Sequence, residues 1–262
     1  MEYRNVVVVP AYNEEKTLSK TLGSLVHQSL SFKHIVVVDN NSTDSTGDIV
    51  RKFQTNRRGN SIIHLVTELK KGTGVACNTG FGFAINELKA NIISRTDADT
   101  VPDSDWNEKI VEYFRTHPTK KIVSGPSYAL RDEFYRGRDK VLWPIAQVAF
   151  RLGSVATTHS LFTTKFALGH NMAVRDYAFQ EVGGFSNSSI DEADEDVEIS
   201  KRMYTSFGLG AMGYERKMKV WTSMRRIDQL GYHGLVYYYW NPGVLPSQER
   251  RIEMTNGEID KR

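Results

Sequence analysis

Short unbroken apolar runs alternate along this chain with longer stretches in which apolar residues recur every three or four positions. Val6-Val7-Val8-Val9 ends at Pro10, and Ile35-Val36-Val37-Val38 ends at Asp39. A β-branched run without polar interruption is the pattern of a strand buried on both faces. Ile62 to Val66 and Ile92-Ile93-Ser94 are shorter runs of the same kind. Helical patterns lie between them. Leu18, Leu22, Leu25 and Val26 share one face, and Asn13 followed by Glu14 and Glu15 predicts an N-cap with an acidic first turn. Ile49, Val50 and Phe53 predict a second helix, and Gly72-Thr73-Gly74 opens a third that runs to about Leu88.

Strand and helix alternating with short connections predict a parallel sheet covered by helices on both faces. Ligands of such sheets sit beyond the carboxyl ends of the strands. Asn13, Asp39, Asp97 and Asp99 all fall at those ends. Turns are polar in any protein, so this position alone assigns no role. The second half is less regular. A helix is predicted from Pro102-Asp103-Ser104 through Trp106, Ile110, Val111 and Phe114, then a strand at Ile122-Val123 ending near Gly125-Pro126. The stretch from Tyr128 to Phe166 has no clear period. Gly169 to Val174, the turn Gly183-Gly184-Phe185 and an acidic helix start from Asp191 to Glu198 follow. Without a linker or repeat, the chain reads as one continuous domain with halves 1–125 and 126–262.

With 40% hydrophobic and 25% charged residues, the 262-residue chain has globular composition, and 34 basic against 31 acidic residues leave a net charge of +3. That excludes a disordered chain. The basic residues are dispersed, so no nucleic-acid partner is expected. A single cysteine closes no internal disulfide and fits a reducing compartment. Met1 to Asn5 lacks the basic stretch and apolar run of a signal peptide, and no segment reaches the roughly 20 apolar residues of a membrane span. A cytoplasmic location is the expectation, with peripheral contact at the inner membrane face as its extension.

Asp97-Ala98-Asp99 sets two carboxylates close together at a strand end. Like charges that near each other need a cation or hydrogen-bond donors to offset them. A cysteine-free set of oxygen ligands suits Mg²⁺ or Mn²⁺ rather than Zn²⁺. The bland alternative is a pair of helix caps before Pro102. The phosphatase pattern Asp-x-Asp-x-Thr fails, because Val101 stands where its Thr belongs. Asp191 to Glu198 packs six carboxylates into eight residues. Most read as a solvated face, but crowding raises the pKa of some, and a carboxylate poised toward neutrality can act as a general base. Helical spacing puts Asp196 one turn from Ser200 and near Glu192, with Glu195 facing elsewhere. Spacing does not choose between Glu195 and Asp196 as the base.

Taken together, three strings resemble the family 2 glycosyltransferases of GT-A fold: Val8 to Glu15, Val37 to Asp44, and Asp97-Ala98-Asp99. Gly72 to Gly80, ending Cys77-Asn78-Thr79-Gly80, resembles that family's glycine-rich helix entry. Gly169 to Arg175, Gly183-Gly184-Phe185 and Glu195-Asp196 resemble its acceptor-side motifs. The likeness runs from about residue 5 to 205 in the family's order. It implies an inverting transfer of a single sugar from a nucleotide diphosphate donor, expected to be uridine-linked, to an acceptor hydroxyl, with Mn²⁺ or Mg²⁺ as cofactor. Pro10, Ala11, Tyr12 and Glu14 would line the base and ribose pocket, with Asn78 and Ala98 also on the donor side. Asp39 would contact the base, Asp97 the ribose or sugar, and Asp99 the metal. Asp196 would be the catalytic base, with Glu195 beside it.

Departures from the family narrow the reading. Processive synthases carry Gln-x-x-Arg-Trp, where this chain has Ser223-Met224-Arg225-Arg226-Ile227. A polymerising, extruding synthase is therefore not expected. Arg225 and Arg226 suit a diphosphate through their guanidinium forks, and read equally well as a solvated strand end. His170 and His233 are candidates for a third metal ligand. Arg136 to Pro144 mixes basic and aromatic residues, as a loop over an acceptor cleft or a segment touching anionic lipid would. A carbohydrate or lipid-linked acceptor fits either. Two rivals are a sugar-phosphate nucleotidyltransferase, which would need a basic, glycine-rich loop after the first strand, and a non-catalytic nucleotide-binding protein on the same fold.

Overall fold

The computed structural model describes residues 3–56, 60–143, 145, 169–186, 195–225, 227–228 and 231–232. Its centre is a seven-stranded sheet. β1 (Asn5–Ala11), β2 (His34–Asp39), β3 (Ile62–Thr67) and β4 (Ile92–Arg95) are the four apolar runs, extended by a residue or two. They pair in parallel in the order β3-β2-β1-β4. Val6 to Val9 and Ile35 to Val38 are all buried, as strands with helices on both sides require.

α1 (Leu18–Val26), α2 (Thr46–Asn56) and α3 (Thr73–Asn86) connect these strands. Leu18, Leu22 and Leu25 of α1 join Val7, Val9, Ile35 and Val37 on one face of the sheet. Ala76, Cys77, Phe81 and Ala84 of α3 join Val6, Val8, Val36 and Val38 on the other. Gly80 is what lets α3 approach: a Cβ there would run into Val8 and Val38. Cys77 is fully buried and burial pushes its thiol up, so it is a packing residue.

The start of α1 departs from the expectation. The helix begins at Leu18 with Thr17 at its N-cap and no acidic residue in its first turn. Asn13 instead takes a left-handed conformation, φ +54°, and its side chain turns to the loop after β2. β5 (Thr100–Pro102) precedes α4 (Trp106–Thr116), and β6 (Ile122–Ser124) precedes β7 (Ser127–Ala129). β5 and β7 had no counterpart in the sequence pattern, since three residues carry no period. With β10 (Val220–Thr222) they form a small second sheet in the order β5-β10-β7.

β8 (Met172–Arg175) runs antiparallel between β4 and β6, setting Met172 beside both Arg95 and Ser124. β9 (Met212–Tyr214) closes the edge parallel to β6. The main sheet thus crosses the division at residue 125. α5 (Asp176–Glu181) and α6 (Glu195–Phe207) cover its far side. Fully buried Asn171 ties the two sheets together. It accepts from Trp106 Nε1 at 2.9 Å and donates to the carbonyls of Pro126 and Met218 at 3.0 and 2.9 Å. Because β8 enters antiparallel, the turn at Gly169–Asn171 opens on the edge where β1, β2 and β4 end.

Candidate active site

The loops after β1 and β2 are zipped together, which explains the Asn-Asn-Ser-Thr-Asp string. Asn13 Oδ1 accepts from Thr43 N at 2.8 Å, and Ser42 Oγ accepts from Asn13 N at 3.0 Å. Thr46 Oγ1 accepts from Glu14 N, and Asp44 Oδ2 from Glu15 N. Asp39, half-buried at the end of β2, accepts from Ser42 N at 3.0 Å. Asn40, absent from the expected site, donates to the carbonyls of Glu68 and Lys70 and accepts from Gly72 N, fastening the loop before α3. Tyr12 is exposed, with the Lys71 ammonium 4.8 Å over its ring. Ala11 and Ala98 are both buried; Asn40 N donates to the first's carbonyl and Thr21 to the second's. They shape the cleft through backbone rather than side chains. Pro10 sits half-buried in β1.

Asp97, Ala98 and Asp99 form a turn between β4 and β5, not a helix cap: Thr100 N donates back to Asp97 O at 3.1 Å. On one side of this turn Arg225 bridges to Glu14. Its NH2 lies 2.6 Å from Glu14 Oε1 and its NH1 3.0 Å from Oε2, with Asp99 Oδ2 3.4 Å from NH2. Glu14 also accepts from Thr17 Oγ1 at 2.7 Å. A cavity of about 470 Å³ borders Asp99, with Lys16 and Lys20 of the α1 side facing Leu130, Asp132 and Phe134.

On the other side Arg95 lies buried beneath the site. Its guanidinium reaches Asp196 at 2.9 Å, Glu195 at 3.1 Å and Asp97 at 3.3 Å. Asp196 Oδ2 also accepts from Gly169 N at 2.6 Å, and Ser200 Oγ donates to the Asp196 carbonyl. Glu195 therefore does not face away, as helical spacing implied; both residues of the first turn of α6 converge on one buried cation. Burial drives the Asp196 carboxyl up. Arg95 opposes this, Glu195 and Asp97 reinforce it, the Gly169 N–H opposes it, and the group is left at about 7. Asn78 bridges α3 to the turn at 183–185, donating to Phe185 O at 2.9 Å and accepting from Phe185 N at 2.8 Å.

Arg226, His233 and Asp191 to Asp194 lie outside the described residues. Among the described residues no three of His, Cys, Asp and Glu form a metal-holding group. Asp99 nonetheless suits a hard divalent cation, which is commonly held by one or two carboxylates with substrate phosphate and water completing the shell. Glu14 and Asp99 meeting on one guanidinium mark the spot as one that attracts positive charge. Among the described residues no helix is long and apolar enough to cross a membrane.

A mostly parallel sheet flanked by helices, with carboxylates gathered at its strand ends, defines an α/β protein. Residues 6–183 match the model of Glycosyl transferase family 2, and the chain belongs to that family. Glycosyltransferase GlyA of Streptococcus pneumoniae is 35% identical over 111 residues, covering 41% of this chain and 15% of that protein. The chain spans about half or less of the length of several curated relatives that it matches. Solved structures share the fold. The mannosyltransferase PcManGT from Pyrobaculum calidifontis, in complex with GDP-Man and Mn²⁺, aligns with TM-score 0.61 and 22% identity over 88% of this chain and 59% of that one. Glucosyl-3-phosphoglycerate synthase from Mycobacterium tuberculosis, in complex with Mn²⁺, uridine diphosphate and phosphoglyceric acid, aligns with TM-score 0.64 and 16% identity over 94% and 80%. The architecture is the GT-A type.

Proposed function

We propose that this chain is an inverting glycosyltransferase that moves one sugar from a nucleotide diphosphate donor, uridine-linked in our reading, to an acceptor hydroxyl. The carrying observation is the meeting of Asp97, Glu195 and Asp196 on Arg95 beside the turn that bears Asp99. Two jobs are needed at one edge: holding the donor's charged end and taking a proton from the acceptor.

Asp196 takes the proton. A carboxylate near 7 accepts a proton at neutral pH more readily than one at the usual carboxylate value. Its hydrogen bond from Gly169 N aims one oxygen and its ion pair with Arg95 the other. Asp97 faces the ribose or sugar. Asp99 holds Mn²⁺ or Mg²⁺. A bound divalent cation supplies stabilisation of the charge that builds on the departing diphosphate. Tyr12, Pro10 and Asp39 bound the space for the base. Arg225, drawn by phosphate oxygens, exchanges Glu14 for the diphosphate. The attacking oxygen and the leaving diphosphate lie on opposite faces of the sugar, so the anomeric configuration inverts in a single displacement without an enzyme nucleophile. The ligands of the two solved neighbours, GDP-Man in one and uridine diphosphate in the other, support the donor class and leave the base to this chain's own pocket.

The acceptor is a carbohydrate or a lipid-linked carbohydrate. Val141 and Ile145 are 61% and 58% exposed, close in sequence to exposed Arg138, which supports contact with a lipid surface at the inner face of the membrane. A thermal-shift screen of nucleotide sugars with Mn²⁺ and with Mg²⁺ tests the reading, since a ligand that binds the folded form raises its melting temperature. Uridine diphosphate sugars should stabilise the protein only with metal, and Asp99→Ala should remove that effect. Transfer by Asp196→Asn at near-normal rate would remove Asp196 from the base role. Stabilisation by sugar phosphates and nucleoside triphosphates instead would turn the reading to nucleotidyl transfer.

A further inference from the structure

Arg95 ends a short apolar strand, a position that reads as an ordinary turn residue, yet its side chain is 2% exposed. It carries the charge for three carboxylates from two segments: Asp97 follows it in the same loop, and Glu195 and Asp196 come from α6, 100 and 101 residues on. The Phe185 ring lies 5.5 Å from Arg95 Cζ. The buried, neutral Cys77 of α3 and the carbonyl of His170, held by Thr96, pack nearby. Arg95 Nε is buried and makes no hydrogen bond among the described residues, so the guanidinium is spent on carboxylates rather than on backbone. Only the guanidinium is buried; the three carboxylates keep 23–36% of their side chains exposed, and without the arginine their like charges would crowd together with no cation between them.

We propose that Arg95 is a positioning residue that ties the donor side of the cleft, through Asp97, to the proton-accepting side, through Asp196. The roles of Asp97 and Asp196 in this inference rest on the transferase reading above. With its side chain 2% exposed, Arg95 acts through the carboxylates it holds. It sets the direction of Asp196 with one nitrogen and of Asp97 with another, so the two carboxylates share a single rigid reference. Among the described residues it is also the one cation acting on Asp196: Glu195 and Asp97 both push toward the protonated form, while Arg95 and the Gly169 N–H favour the ionised one.

The test uses Arg95→Gln, Arg95→Lys and Glu195→Gln in the full chain. Two readouts are taken: the pH dependence of kcat, and a ¹³C carboxyl NMR titration of Asp196 in the protein alone, assigned with Asp196→Asn. Arg95→Gln should raise the Asp196 midpoint by about 1–3 pH units, the range for losing an adjacent guanidinium. Its kcat at pH 7 should fall at least about tenfold and partly recover at pH 9. Arg95→Lys should keep the midpoint near wild type while lowering kcat, because an ammonium cannot hold two carboxylates in a fork. Glu195→Gln removes a like charge at a part-exposed position and should lower the midpoint; it serves if Arg95→Gln does not fold. An unchanged Asp196 midpoint in Arg95→Gln, or in Glu195→Gln should the first variant not fold, or a kcat in Arg95→Lys equal to wild type, would overturn the inference. If no nucleotide sugar supports transfer, the transferase reading fails, and the NMR titration still judges Arg95.

Discussion

Arg225 and Glu14, 211 residues apart, form a two-pronged ion pair at 2.6 and 3.0 Å, and Asp99 stands 3.4 Å from the same guanidinium. Where a divalent cation is proposed to sit, the protein holds an organic one. A guanidinium beside Asp99 repels an incoming metal ion and attracts an incoming phosphate. Arg225→Gln should therefore bind Mn²⁺ alone more tightly than wild type while binding the donor more weakly. Calorimetry with metal and donor added separately gives both signs. Parallel weakening of the two would contradict the arrangement.

Gly169 packs against the ion network and donates its N–H to Asp196. A Cβ at this position would strike both carboxylate oxygens of Asp196 and Arg95 Cζ. Gly169→Ala should lower kcat by about a hundredfold, the scale of an ångström-sized misplacement. Donor affinity should stay close to wild type, since the displaced group lies on the acceptor side. Steady-state kinetics beside donor calorimetry separate the two.

The raised Asp196 carboxyl fixes the sign of the pH response. Below about 7 the group holds its proton and cannot take another; above it the base is free. Activity should rise with pH through a midpoint near 7, and Asp196→Asn should flatten this limb while lowering kcat by about 10²–10⁴-fold. Stability moves the opposite way. The folded protein keeps a proton that the unfolded chain gives up near 3.8, so this group's stabilising contribution is present at low pH and lost as pH rises through about 7. Urea unfolding of wild type and Asp196→Asn between pH 4 and pH 8, values near the two pKa limits, measures it.

Asn40 is 6% exposed and satisfies three backbone groups of the loop before α3. Asn40→Ala leaves them without that partner and should cost about 1–3 kcal/mol of stability. Denaturant unfolding reads the loss. The same change should weaken donor binding more than it changes the pH midpoint, because it loosens the loops on the proposed donor side and leaves Asp196 untouched.

Much of the architecture was legible from one-dimensional pattern. Four β-branched runs became β1 to β4, and three helical faces became α1 to α3, because an apolar period of two or 3.6 is a local property that the core then enforces. Asp39, Asp97 and Asp99 stood out because they follow those runs directly, and Asp196 because carboxylates crowd around it. Asn13 misled: its residue type suits a cap, but the Thr43 amide offered its side chain a partner across the cleft and the helix began four residues later. β5 and β7 were too short to leave a period.

Arg95 and Asn40 carried no local sign of their roles, and the pattern that marked Arg225 as a phosphate candidate did not show its pairing with Glu14. An arginine after a strand looks solvated until β8 runs antiparallel beside β4 and brings Gly169 and α6 against it. Periodicity can say that a strand exists, but it does not say which neighbour the strand takes. That order is chosen by how the whole sheet buries its faces, and it alone put a guanidinium within reach of carboxylates a hundred residues away.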